Sequence, residues 1–417
     1  MKHSLSILAA MGVAGTLWAS ATVPTKFQAQ DYASALTQAV QNPDSLIDRA
    51  YKLYNDGKAE EALKLCNLVG VLDPDNINNL NLRGFVYFQL GDTVKCINDM
   101  ARTHALTLES RLDYSDPQDM LVMLVRERPA EVIGAVSKEI TDAKMLPMVE
   151  DDDDESNDYL IGGLLLTRGG LQGELRNTEE EVGDYEEAMI FLPDSKSAIY
   201  SLIANAYSRA RDYENALKAA DKGLEISAYS PDCIQAKMLA LRNSGKPGEA
   251  VEFLESKIEG NPDTDRIYSN IAVVKGGMKD YQGAIEALEK VSPENREVLR
   301  EGILYAKAGN QEKATELLTS LLTDDPDDIG NAMQLAYLGR ADEAVALIEK
   351  HPEDSEDWYK AAIYTLAGDR EKGVEYLLKA VDDGTYSIDN LPYDINLESL
   401  ASDPRIKLAR VKLQKKK

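Results

Sequence analysis

The sequence predicts an all-α fold built from repeated helical units, and three observations predict it. A short turn after a helical stretch recurs along the chain, three times at an interval of 34 residues: Gly57 to Gly91, Arg211 to Gly245 and Gly245 to Lys279. Five residues after each turn stands a small residue. Strand patterns are missing: β-branched residues do not alternate, while Ala, Leu, Glu and Lys dominate most windows, as helices prefer.

Residues 1–21 carry a targeting signal. Lys2 supplies a positive start, Leu5–Trp18 is uncharged and largely apolar, and Ala19-Ser20-Ala21 places small residues where a signal peptidase reads. The apolar run is short for a membrane span of about 20 residues. Cleavage after Ala21 is expected, which makes the mature chain periplasmic or secreted, with no integral membrane segment.

Residues 22–110 hold a leader helix and two repeat units. The first turns are Gly57 (YNDGKAEEAL) and Gly91 (FQLGDTVKCI), with Ala62 and Cys96 five residues on. Residues 111–196 break the register and are expected to be divergent helical units. A hidden pair sets Gly163 and Leu166 against Tyr185 and Ala188, with an insertion of about a dozen residues between them. The stretches 148–158 and 168–181 are polar or glycine-rich and are expected to be mobile connectors. The run Asp151-Asp152-Asp153-Asp154-Glu155 lacks the alternating spacing and central Gly of a calcium loop, so it is expected to be a solvated connector.

The regular array resumes over 197–387. Its turns are Arg211, Gly245, Lys279, Gly309, Gly339 and Gly368, followed by Ala216, Ala250, Ala284, Ala314, Ala344 and Gly373. After Lys279 the intervals shrink to 30, 30 and 29 residues. Pro293 and Pro352 follow Ala284 and Ala344 closely, so those second helices lose about a turn; between Pro326 and Gly339 the first helix is the short one. The later units are therefore expected to form a thinner, more curved layer. Residues 388–417 are expected to be a capping helix with a basic tail, since Arg405 to Lys417 carries seven basic residues. Those cations suit a helix C-terminus, or dock an acidic partner or anionic lipid.

This pattern resembles the tetratricopeptide repeat. In that family the first helix carries a small residue and an aromatic three later, matched here by Gly84/Tyr87, Ala204/Tyr207, Gly302/Tyr305 and Ala361/Tyr364. The second helix adds a large apolar residue four after its small one: Leu254, Leu288, Leu318, Ile348 and Leu377. Small residues at a crossing let backbones approach, and large ones fill the flanking gaps. The resemblance covers about two thirds of the chain and implies a right-handed superhelical solenoid.

Composition excludes several functions. A net charge of −26 is wrong for wrapping nucleic acid, which needs Lys and Arg to displace counterions. Beyond the leader, His104 and His351 are the only histidines, and neither lies in HExxH or near a cysteine. Cys66, Cys96 and Cys233 are an odd, widely spaced set without CxxC. GxSxG and GxGxxG are absent, so no enzyme, metal or cofactor is indicated.

The same resemblance implies a concave groove lined by residues one place, and four or five places, after the small residue of each first helix. These are Tyr51 and Tyr54, Phe85 and Phe88, Asn205 and Arg209, Leu239 and Asn243, with Arg242, Arg266 and Arg296 near the same face. The Asn and Arg set resembles part of a carboxylate clamp, without its lysine. The expectation is a monomeric, non-catalytic scaffold binding a protein or peptide in a cell-envelope complex, with Asn205, Arg209 and Arg242 gripping an acidic ligand. The alternative is an accessory module for envelope polysaccharide or an enzyme complex, with Tyr51, Tyr54, Phe85 and Phe88 stacking on sugars.

Overall fold

The computed structural model describes residues 43–110, 115–146 and 155–415. The leader at 1–21 and the acidic residues 151–154 lie outside the described residues. The chain divides into two compact units, one up to Ile199 and one from Tyr200. No residue among those described is in a strand.

The first unit contains α1 (Pro43–Asn55), α2 (Ala59–Leu72), α3 (Ile77–Gln89), α4 (Thr93–Glu109), α5 (Asp116–Val125), α6 (Pro129–Met145), α7 (Glu155–Glu174) and α8 (Thr178–Phe191). The boundary falls inside α9 (Lys196–Arg209). The second unit continues with α10 (Tyr213–Ile226), α11 (Pro231–Asn243), α12 (Pro247–Glu255), α13 (Thr264–Gly277), α14 (Tyr281–Leu288), α15 (Val298–Lys307) and α16 (Gln311–Ser320). It ends with α17 (Ala332–Tyr337), α18 (Ala341–Lys350), α19 (Asp357–Leu366), α20 (Arg370–Asp383) and α21 (Pro404–Lys415).

Most turns inside a pair are built alike, the turn between α5 and α6 excepted. The central residue of such a turn is left-handed, with φ of 75° at Gly57, 61° at Arg211 and 66° at Lys279. The residue after it donates its N–H to the carbonyl five places back, as Lys58 does to Leu53 and Asp212 to Tyr207, closing the first helix. That following residue then starts the second helix. Asp92, Asp212, Asp280, Asn310 and Asp369 each accept the backbone N–H three residues on, which satisfies an orphan donor of the new helix.

The crossings are as tight as the small residues require. Ala62, Cys96, Ala216, Ala250, Ala284, Ala314 and Ala344 are all buried. A Cβ at Gly302 would sit 2.8 Å from Leu318 Cδ2, so a larger residue there would have to displace that side chain. Shortening falls where the prolines place it: α14 has eight residues and α17 only six.

Residues 168–181 are not a connector. They form the end of α7, a three-residue turn and the start of α8. Arg176 takes φ 61° with no glycine to mark it, and Asn177 donates its N–H to the Gln172 carbonyl as in the other turns. The pair crosses at Gly169, where a Cβ would lie 2.6 Å from the Tyr185 ring, and not at Gly163. The register is confirmed by a repeated ion pair. Arg83 Nε and Nη2 donate to Asp99 at 2.7 and 2.8 Å, and Arg168 Nη2 and Nε donate to Asp184 at 2.6 and 2.9 Å. Both pairs join residues 16 apart, each arginine one place before its crossing glycine. His104 on α4 is buried nearby, its Nε2 2.7 Å from Thr167 Oγ1. Burial pulls its pKa down to about 4, so the ring is neutral.

Candidate partner-binding surface

In the first unit, neighbouring first helices α1 and α3 carry the aromatic set. Tyr51 is 56% exposed and Phe88 is 43% exposed, while Tyr54 and Phe85 are half-buried beneath them. Tyr54 packs on a small core containing Ala50, Ala62, Cys66, Leu82 and Val86, which fixes α1 against α2 and α3. Leu90, just past α3, and Val94, in the first turn of α4, are also exposed. The thiols of Cys66 and Cys96 below are pushed up to about 12 by burial, which leaves them protonated and unreactive.

In the second unit, the corresponding row of first helices is occupied by the chain itself. Residues 386–400, expected from 388 on to belong to a capping helix, instead follow α20 as a strap, since the last helix begins only at Pro404. They form the 3-10 turn Leu391–Tyr393, enter a second, Glu398–Ser402, and run along the last turns of α11, α13, α15 and α17. Arg211 Nε donates to Asp389 at 2.7 Å, and Arg242 Nη2 donates to Asn390 Oδ1 at 2.6 Å. The Arg242 guanidinium lies over the Tyr393 ring at 5.3 Å. Gly277 faces Tyr393 so closely that a Cβ would come 2.9 Å from its carbonyl oxygen. Lys279 pairs with Glu398 at 2.9 Å, Lys307 approaches the same carboxylate, and Tyr337 Oη donates to Asn396 Oδ1 at 2.6 Å. Gly277, Lys307 and Tyr337 all stand five places after a small first-helix residue, the positions the family resemblance assigns to the groove.

Four aliphatic side chains fasten this strap. Ile388, Leu391, Leu397 and Leu400 are buried in the core that also holds Ile363, Val374 and Leu377. At about 1.5–3 kcal/mol for each such burial, the set contributes on the order of 10 kcal/mol, an upper bound because an unfolded chain already hides some surface. That is more than a short peptide gains from two or three salt bridges at a surface. The strap is packed into the core of the second unit.

This corrects the acidic-peptide site. Arg242 is only 6% exposed, and burial pulls its guanidinium below the usual arginine range. It bonds Asn390 and Asn243, so it is not offered to a ligand, and Asn243 is its half-buried acceptor. Arg266 sits in the first turn of α13, away from the Arg242 row, and bonds Gln235. Arg296 donates to the carbonyls of Val291 and Glu289, and Leu239 packs against the core. Asn205 is half-buried and Arg209 exposed on α9. Arg242, Arg266 and Arg296 are each engaged within the chain. Local sequence held no sign of the strap beyond Gly276-Gly277, whose pairing leaves room for it.

Among the described residues no helix is long and apolar enough to cross a membrane. The sequence matches no protein-family model and no curated protein. Among solved structures, the chain is similar to a tetratricopeptide repeat protein from Parabacteroides merdae, at 18% identity over 61% of this chain and 98% of that one, TM-score 0.40. It is also similar to the apo form of RapI, at 14% identity over 82% and 97%, TM-score 0.40. A third is the TPR2AB domain of yeast Sti1 in complex with pHSP90, at 19% identity over 66% and 95%, TM-score 0.21. The paired helices, their left-handed turns and their small crossing residues make the fold of each unit tetratricopeptide-like.

Proposed function

We propose that the chain is a non-catalytic scaffold that binds a protein partner through the aromatic surface of α1 and α3, and that it acts outside the cytoplasm after removal of residues 1–21. One observation carries the binding site: Tyr51 and Phe88 stand exposed on adjacent first helices, whereas the equivalent row of the second unit is covered by residues 386–400. Exposed aromatics on a rigid helix face supply large apolar area at low entropic cost, as interface anchors do. The buried cysteines and neutral His104 offer no accessible nucleophile or base. The partner class follows from shape: a face built from two helices suits a protein or peptide helix laid against it.

The test is to cross-link the protein in its native compartment and identify the partner. Binding of that partner is then measured for Tyr51→Ser with Phe88→Ser, and for the control pair Lys257→Ala with Arg266→Ala. Loss of about 30-fold or more in the aromatic pair alone is expected, the size of a two-residue hot spot. Equal binding by both pairs moves the interface elsewhere. Fusing residues 1–42 to a reporter active only outside the cytoplasm tests export, and an inactive reporter removes that part of the proposal.

A further inference from the structure

The C-terminal helix α21 is docked by one side only. Ile406 is buried in the core of the second unit and Ala409 packs against it. Arg405 holds Glu371 and Asp403, and Arg410 reaches Asp389 at 3.7 Å. The opposite side is free of such contacts. Lys407, Leu408, Val411 and Lys412 recur at helical spacing along one exposed stripe, with Leu408 55% and Val411 43% exposed. No ion pair among the described residues holds Lys407 or Lys412. In sequence the run continues with Lys415, Lys416 and Lys417, on a chain whose net charge is −26.

We propose that this stripe docks on an anionic lipid bilayer. Two aliphatic side chains flanked by lysines are the arrangement of an interfacial helix: the aliphatics enter the headgroup boundary and the lysine stems reach the lipid phosphates. Charge complementarity selects an anionic surface. A flat bilayer also suits a convex helix face, whereas an acidic peptide needs a groove, and α21 presents none. The acidic body does not cancel the attraction. Its field is screened beyond about 8 Å at physiological salt, and the carboxylates that contact α21, on Glu371, Asp389 and Asp403, are paired with Arg405 and Arg410. Each lysine at such a surface is worth about fivefold in binding, equivalent to about 1 kcal/mol. The dock is therefore reversible and sensitive to salt.

The experiment is co-sedimentation of the chain beginning at Thr22, which keeps every described residue, with vesicles of phosphatidylcholine alone or mixed with phosphatidylglycerol. Binding to the anionic vesicles only is expected, falling as salt rises from about 0.1 M to about 0.5 M. Lys407→Gln with Lys412→Gln is expected to weaken it about 25-fold, and Leu408→Asn with Val411→Asn about tenfold. All four positions are exposed, so circular dichroism should match the parent. Absence of binding to anionic vesicles overturns the proposal, as does binding that neither variant changes. Capture of a soluble polyglutamate peptide without vesicle binding also overturns it, in favour of an acidic protein partner.

Discussion

Arg211 Nε donates to Asp389 at 2.7 Å across 178 residues of chain. The same aspartate lies 3.7 Å from Arg410 on α21, so one carboxylate ties the turn after α9 to the strap and to the last helix. Both partners are largely sheltered, which makes the pair stronger than an open surface bridge. This contact and its neighbours hold residues 386–400 over the first-helix row of the second unit.

Removing the strap should therefore unfold more than the strap. Leu397→Ala empties a fully buried site and should cost about 2–5 kcal/mol, read from the midpoint of urea unfolding. Ending the chain at Thr385 should lower stability further. If truncation leaves the midpoint unchanged, the strap is not part of the cooperative unit and the first-helix row is open to ligands.

Arg242 and Arg209 should behave differently. Arg242→Ala removes a buried guanidinium and leaves half-buried Asn390 Oδ1 without its donor, at a cost of about 1–3 kcal/mol. Exposed Arg209→Ala should fall within about 0.5 kcal/mol of the parent. Thermal melting of the two variants checks this, and equal values would restore Arg242 as a surface residue.

Arg176 holds a left-handed conformation that costs a non-glycine residue about 1–2 kcal/mol. Its side chain is exposed, so Arg176→Gly should raise stability by up to about 1 kcal/mol, with some loss to chain entropy. Calorimetry should show a higher Tm. A lower one would mean that the side chain does more than occupy the turn.

Ala216→Leu and Ala250→Leu should each cost about 1–3 kcal/mol by overpacking a fully buried crossing, while Ala→Ser at either position stays mild. Denaturant unfolding distinguishes them, and leucine variants as stable as the parent would contradict the crossing geometry.

His104 makes the first unit sensitive to acid. Its folded pKa of about 4 lies below the ordinary 6.5, so the unfolded state takes up the proton first. The neutral ring's contribution is complete above pH 6.5 and is lost as pH falls towards about 4, by at most about 3 kcal/mol. His104→Gln should flatten unfolding stability over that window relative to the parent. An NMR titration placing the ring's pKa near 6.5 would contradict its burial.

The sequence by itself determined the helix pairs and most of their register. Eight turns were legible because the reason for each residue is local: a left-handed position favours glycine, a crossing requires a small side chain, and the next helix starts best with Asp or Asn. The turn at Arg176 was hidden because the glycines of α7 read as loop although Gly169 serves a crossing, which masked the same kind of non-glycine turn that was legible at Arg211 and Lys279. The aromatic face of Tyr51 and Phe88 was legible as a position; its exposure was not. Only the tertiary structure decided that Arg242 is buried and that residues 386–400 cover the row beside it. The partners of Asp389 and Asn390 lie 178 and 148 residues away, and no local pattern encodes a pairing that depends on how the intervening helices stack.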